Sequence, residues 1–297
     1  MSQTTSIPLQ RAAPQARELR RPIRRALRVI PYALVIVICL IMIFPVLWTV
    51  SSSFKDQTEV LKYPPTWIPE KPTLKGYDRV LSAKGRMPRY VFNTLILACL
   101  ATSTSAIVAS LAGYSFSRFR FRGRQAILVL ILATIMIPGL TQLIPLYSML
   151  ASWGLLNTYL GLILIYSSGQ LPFSIWIMKS FFDTIPRELE EAGMIDGCSV
   201  WQALFQIILP ISAPGLMAVV VMNFVGTWNE FMTNLVMTST DNMRNVSVGL
   251  WNFLSWYGVD YGAVNAAAVV VMIPVIIIFI LGRGYFIRGM LEGALKG

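Results

Sequence analysis

Residues 125–178 read QAILVLILATIMIPGLTQLIPLYSMLASWGLLNTYLGLILIYSSGQLPFSIWIM, an uninterrupted stretch without Asp, Glu, Lys or Arg. A bilayer's hydrocarbon core needs about 20 predominantly apolar residues per helix, so this run is long enough for two crossings with a turn between them. Ser152-Trp153-Gly154 and Asn157-Thr158-Tyr159 interrupt the aliphatic pattern near its middle with turn-forming and interface-seeking residues. The reading is a third span, Ile127 to Leu150, and a fourth, Tyr159 to Met178.

Working outward, further uncharged runs occupy 29–54, 90–117, 197–229 and 261–282. They place a first span at Ile30 to Val50, a second at Phe92 to Tyr114, a fifth at Pro214 to Val236 and a sixth at Ala263 to Phe286. The expected fold class is therefore an all-α polytopic membrane protein with six transmembrane helices. Hydrophobic residues make up 55% of the 297-residue chain and charged residues only 13%, which argues against an ordinary soluble domain. The first apolar stretch is too long for a cleaved signal peptide and no A-x-A site follows it before Lys55.

Six spans put both termini on one side. With the N-terminus inside, 16 Lys and Arg fall in inner segments and 9 in outer ones, the densest clusters flanking the first three spans. Much of the net charge of +11 is thus topological, and no interleaved base-stacking pattern points to nucleic acid. The chain divides into a basic cytoplasmic arm (1–29), a transmembrane domain (30–286) and a cytoplasmic tail (287–297). A loop from Lys55 to Arg89 lies outside, its Pro64, Pro65, Pro69 and Pro72 disfavouring a long helix across its first half.

Histidine is absent, which removes the commonest general base and metal ligand. Cys39, Cys99 and Cys198 are far apart and form no C-x-x-C pair, so neither a disulfide framework nor a metal site is expected. No G-x-x-x-x-G-K-[ST] occurs, and so no phosphate cradle. A membrane enzyme would lack paired intramembrane carboxylates and a nucleophile motif. A gradient-driven secondary transporter or channel would lack the embedded acids and bases of a proton relay, with only Glu230 near an edge.

One connection is unlike a loop. In 183–210, DTIPRELEEAGMIDGCSVWQALFQIILP, Pro186 suits a first helical turn, and Glu188, Glu190 and Glu191 follow where the helix dipole favours negative charge. Gly197 is placed to stop this helix. Ser199 with Gln202 forms a capping-box pattern that opens a second helix, ended by Pro210, with Trp201, Leu204, Phe205 and Ile208 as one apolar stripe. An interfacial hairpin that merely joins two spans has the same pattern. Against it, Glu188, Glu190, Glu191 and Asp196 face only Arg187, an acidic balance that opposes attraction to anionic lipid and suits a protein partner.

Glu191-Ala192-Gly193, then Gly197, then Ile207-Ile208-Leu209-Pro210 resembles the E-A-A, three residues, G, nine residues, I-x-L-P pattern of binding-protein-dependent ABC importer permeases. Gly193 stands where the pattern has a second alanine. Phe224 to Phe231 and Arg283 to Gly297 resemble the carbohydrate-uptake branch, in the subunit similar to the second permease of the maltose importer. Pro64-Pro65 through Tyr77 and Arg118 to Arg124 also fit, so that the resemblance covers nearly everything after Ile30.

The resemblance implies a bacterial inner-membrane permease subunit, not an enzyme itself, that forms half of the path for a sugar or sugar derivative. Its partners would be a second related permease, two ATP-binding cassette subunits that use ATP and Mg, and an extracytoplasmic solute-binding protein. No cofactor is expected on this chain. The first helix of the hairpin would dock in an ATPase cleft with Glu191 facing a basic residue there, and the coupling segment would comprise Glu188, Glu191, Ala192, Gly193, Asp196, Gly197, Leu209 and Pro210.

A path for sugar needs neutral polar groups at membrane depth. Thr141, Gln142, Gln170, Asn223, Trp228, Asn229 and Glu230 are the candidates. Asn223, Gly226 and Thr227 share a helix face, whereas Asn223 and Asn229 are separated by roughly 120°. Asn223 and Thr227 are expected to approach the path, with Trp228 and Asn229 at its outer mouth; the alternative is that such groups bond between helices.

Overall fold

The structure is a computed structural model that describes residues 15–82, 85–256 and 260–294. Arg11, Lys84, Tyr257 and Lys296, and with them the start of the basic arm and the end of the tail, lie outside the described residues. The described residues form helices without strands. In order these are α1 (Gln15–Ser52), α2 (Gln57–Val60), α3 (Lys75–Leu81), α4 (Met87–Arg118), α5 (Arg124–Ala133) with a 3-10 turn (Thr134–Met136), α6 (Gly139–Ser152), α7 (Tyr159–Asp183) and α8 (Arg187–Ile195). Then come α9 (Val200–Gln202), a π-helical turn (Ala203–Ile208), α10 (Leu209–Ile211), α11 (Ala213–Asn229), α12 (Met232–Met237), α13 (Val246–Trp256) and α14 (Tyr261–Ala294).

Among the described residues, four helices are long and apolar enough to cross a bilayer: Ile30–Ser52, Met87–Arg118, Tyr159–Asp183 and Tyr261–Gly284. They contain the expected first, second and fourth spans, and the sixth except for its last two residues. The other two expected spans are broken. The third bends by 101° between Arg124–Met136 and Gly139–Ser152, where Pro138 cannot donate a backbone hydrogen bond. Thr141 Oγ1 donates to the Pro138 carbonyl (2.7 Å) and Gln142 Nε2 to the Ile137 carbonyl (3.2 Å), which satisfies groups freed by the break. The fifth ends at Asn229 rather than Val236, because Glu230 is extended (φ −66°, ψ 130°). At its start Val200–Ile211 meets Ala213–Asn229 at 77°.

α4 is the central helix. Its buried Ala98, Ala101, Ser105, Ala109 and Gly113 recur at helical spacing, a strip of small side chains that lets α7 and α11 approach closely. At Gly113 the approach is closest, since a Cβ there would lie 2.9 Å from the Lys179 amide nitrogen and Met178 Cβ. α14 packs on α11, α3 and α1. Along α1, by contrast, Ile30, Leu40, Ile41, Met42 and Leu47 are exposed, as are Met136, Leu140 and Ile144 around the α5–α6 break. Such continuous apolar surface is stable only against lipid or another membrane subunit.

Candidate coupling site and polar seam

α8 follows Pro186, its N-cap residue, and carries Glu188 and Glu190 in its first turn, where the unpaired amide groups and dipole favour carboxylates. It ends with a Schellman arrangement, in which Cys198 N donates to Gly193 O (3.0 Å) and Gly197 N to Met194 O (3.1 Å), with Gly197 at φ +94°. Ser199 and Gln202 then form the expected capping box, with Gln202 N 3.3 Å from Ser199 Oγ and Ser199 N 2.8 Å from Gln202 Oε1.

The four acids of this segment do not act alike. Glu188, Glu191 and Asp196 are exposed, and among the described residues none of them forms an ion pair. Glu190 turns inward. Arg118 Nε at the end of α4 donates to Glu190 Oε2 (2.8 Å) and the Tyr114 hydroxyl donates to Oε1. Arg118 also donates to the Ile185 carbonyl (3.1 Å), and Arg187 returns to the Ser117 carbonyl (3.1 Å). Arg187 therefore does not neutralise the exposed acids. Beside them stand Leu189, Met194 and Ile195, the last 85% exposed. Ala192 and Gly197 are on the surface as well, Leu209 is half-buried and Pro210 exposed.

Gly193 faces inward, and a Cβ there would meet Ile207 Cδ1 at 2.4 Å. The departure from alanine thus makes room for the tip of an isoleucine from the second limb. That limb differs from its expected form. The helix runs through Pro210 to Ile211, and its π turn divides the expected stripe: Leu204 and Ile208 are buried, whereas Trp201 and Phe205 are exposed and stack at 6.3 Å.

Glu190, Arg118 and Tyr114 were not among the expected site residues. Glu190 lies three positions before Gly193, on the same helix face, and the packing of Gly193 against Ile207 marks that face as the buried one.

At membrane depth, Asn223 and Thr227 share a face as expected, and that face meets α4 and α7. Asn223 Nδ2 donates to Ser105 Oγ (3.1 Å) and Ser174 Oγ (3.0 Å), while Gln170 Nε2 bridges the Asn223 carbonyl (3.1 Å) and Thr227 Oγ1 (2.7 Å). Trp228 is buried and stacked on Phe224. Asn229 is exposed and donates to the Val225 carbonyl (3.0 Å). The four are not gathered on one surface. Exposed on α11 are instead Met222, Gly226 and Asn229, at i, i+4 and i+7.

At the opposite end from α8, Glu230 accepts from Thr233 N (2.8 Å) and Asn234 N (3.0 Å), and so caps α12. Asn93 Nδ2 donates to the Asn242 and Arg244 carbonyls (2.8 Å each), and Val246 N donates to Thr94 Oγ1 (2.8 Å). Lys55 sits over the Trp48 ring at 4.5 Å, and burial lowers its pKa from the ordinary lysine value. Residues 104–292, which hold the hairpin and the seam, match the family described as binding-protein-dependent transport system inner membrane component.

The chain belongs to that family.

The trehalose/maltose transport system permease protein MalG of Thermococcus litoralis is 38% identical over 277 residues, covering 93% of this chain and 98% of that one. The sulfoquinovosyl glycerol transport system permease protein SmoH of Agrobacterium fabrum is 34% identical over 255 residues, 86% of this chain and 89% of the other. A chain from the crystal structure of a bacterial ABC transporter that imports the polysaccharide alginate shares the fold, with a TM-score of 0.78 at 23% identity over 88% of this chain and 97% of its own. As a permease of this family the chain is a multi-pass membrane protein.

Proposed function

We propose that this permease is one of two paired membrane subunits of an ATP-driven importer for a sugar or sugar derivative. Both termini lie in the cytoplasm, and a binding protein delivers the solute to the outer face. ATP and Mg2+ are used by two separate ATPase subunits, since the chain carries no phosphate-binding loop of its own. Carbohydrate as the substrate class rests on the names of the relatives and on the neutral amide and hydroxyl groups at membrane depth.

The observation that carries this reading is the surface of α8. Glu188, Glu191 and the C-cap Asp196, which form no ion pair among the described residues, stand beside Leu189, Met194 and Ile195 on a helix held from behind by Arg118. A lipid surface would select basic residues there, whereas a basic cleft with apolar walls is complementary to both components. On the path side, α11 offers Met222, Gly226 and Asn229, while Asn223 and Thr227 set its packing against α4 and α7. Affinity purification of the tagged chain with its ATPase tests the docking helix. Glu191→Lys is expected to abolish retention of the ATPase from an inserted chain, and full retention with full uptake would overturn the assignment.

A further inference from the structure

Of the four helices long enough to span a bilayer, α1, α7 and α14 each contain interior prolines, among them Pro31, Pro172 and Pro274. α4 has its one proline, Pro88, in the first turn and runs unbroken from Met87 to Arg118, about 48 Å at 1.5 Å per residue. No missing amide interrupts its hydrogen-bond ladder, so it has no proline kink along its length. Each of its ends is tied by side chains to a segment that has no regular connection of its own.

At one end Tyr114 and Arg118, four residues apart on one face, hold the two carboxylate oxygens of Glu190 separately. The Arg118 and Glu190 side chains are 7% and 10% exposed, so the pair is shielded from water and salt. Arg118 to Ile185 and Arg187 to Ser117 add two further ties across the same junction. α8 is only nine residues long and is joined to its neighbours by short non-helical links, so these contacts, together with the packing of Gly193 on Ile207, fix its orientation. At the other end, Asn93 holds Asn242 and Arg244, between α12 and α13, by their carbonyls, and Thr94 holds the amide of Val246 at the start of α13.

We propose that Glu190 is a positioning residue, which with Arg118 and Tyr114 makes α8 and α4 one body, and that α4 carries displacement of α8 to the Asn93–Thr94 knot and the outer segment it holds. The inference rests on α8 being the ATPase-docking helix. The two neighbouring glutamates then differ in role, since Glu191 meets the partner and Glu190 passes on what the partner does. Coupling needs no hinge inside α4, because both sites bias the position of a single rigid element.

The test uses the complete importer in nanodiscs, with the ATPase rate plus liganded binding protein divided by the rate without it, per mole of assembled complex. Glu190→Gln and Tyr114→Phe at one end and Asn93→Ala at the other are each expected to lower that ratio by about fivefold while the ATPase stays bound. The Glu190→Gln/Asn93→Ala double variant is expected to fall no further than the lower single variant, since both cut one transmission line. Ratios that stay at the unmutated value, or single losses that multiply in the double variant, would overturn the proposal. Tyr114→Phe removes only a hydroxyl and gives the readout even if Glu190→Gln does not assemble. Failure of the docking reading is distinguished by Glu191→Lys, which would then retain the ATPase in full.

Discussion

Arg118 Nε lies 2.8 Å from Glu190 Oε2, in a contact that buries both side chains between the end of the central span and the short helix α8. Removing one partner of a buried pair leaves an uncompensated charge and costs about 3–5 kcal/mol. Loss of a carboxylate from the exposed face of α8 leaves no such charge.

The first prediction follows from that asymmetry. Glu190→Ala is expected to reduce the amount of folded permease in the membrane, by thermal melting in detergent as well as by yield, whereas Glu191→Ala leaves both near normal and lowers ATP-dependent uptake. Equal melting temperatures for the two variants would contradict the placement of the glutamates.

The two glycines of the hairpin should respond differently. Gly197 has φ +94°, which costs a side-chain-bearing residue about 1 kcal/mol or more, so Gly197→Val is expected to lower ATPase coupling. At Gly193 a Cβ would meet, among the described residues, just the terminal methyl of Ile207, which a rotamer change can move aside, and Gly193→Ala is expected to be nearly silent in melting and uptake. A large effect of Gly193→Ala would mean that Ile207 cannot move aside.

Substitutions in α11 should separate packing from the path. Asn223→Leu or Thr227→Val leaves Gln170 or the serines around it with unmet hydrogen bonds, a cost of about 1–3 kcal/mol each, and is expected to lower the yield of assembled complex. Asn229→Ala is expected to preserve yield and change the apparent KM for solute. An altered KM with normal yield for Asn223→Leu would put that residue on the path.

For topology, Ile68 (81% exposed) and Ile195 lie on segments assigned to opposite sides of the membrane. In a cysteine-free background, Ile68→Cys is expected to react with an impermeant maleimide in whole cells and Ile195→Cys only after lysis. The reverse pattern would invert the orientation.

Why some of this was legible in the sequence and some was not has a physical basis. Spans show as missing charges because charge is costly in lipid, and the four continuous helices coincide with those gaps. The gap itself is blind to a bend, so the break at Pro138 falls inside a run that looks continuous, whereas α11 ends where Glu230 closes the 197–229 run and the expected fifth span runs past that charge. Gly197 and the Ser199 cap were visible because turn geometry is local. Glu190 was not, since Glu188, Glu190 and Glu191 are chemically alike and the residues that hold Glu190, Tyr114 and Arg118, lie more than seventy positions earlier. The stripe on the second limb failed for a related reason: a π turn shifts the helix phase, and residues 203–208 are apolar on several faces.

The most direct test of the account is solute uptake into proteoliposomes holding the complete complex, with binding protein outside and nucleotide sealed inside. Uptake of the sugar is expected to require both ATP and the binding protein, to persist when ion gradients are collapsed by ionophores, and to be lost with Glu191→Lys. Accumulation driven by an ion gradient alone, without nucleotide, would contradict it.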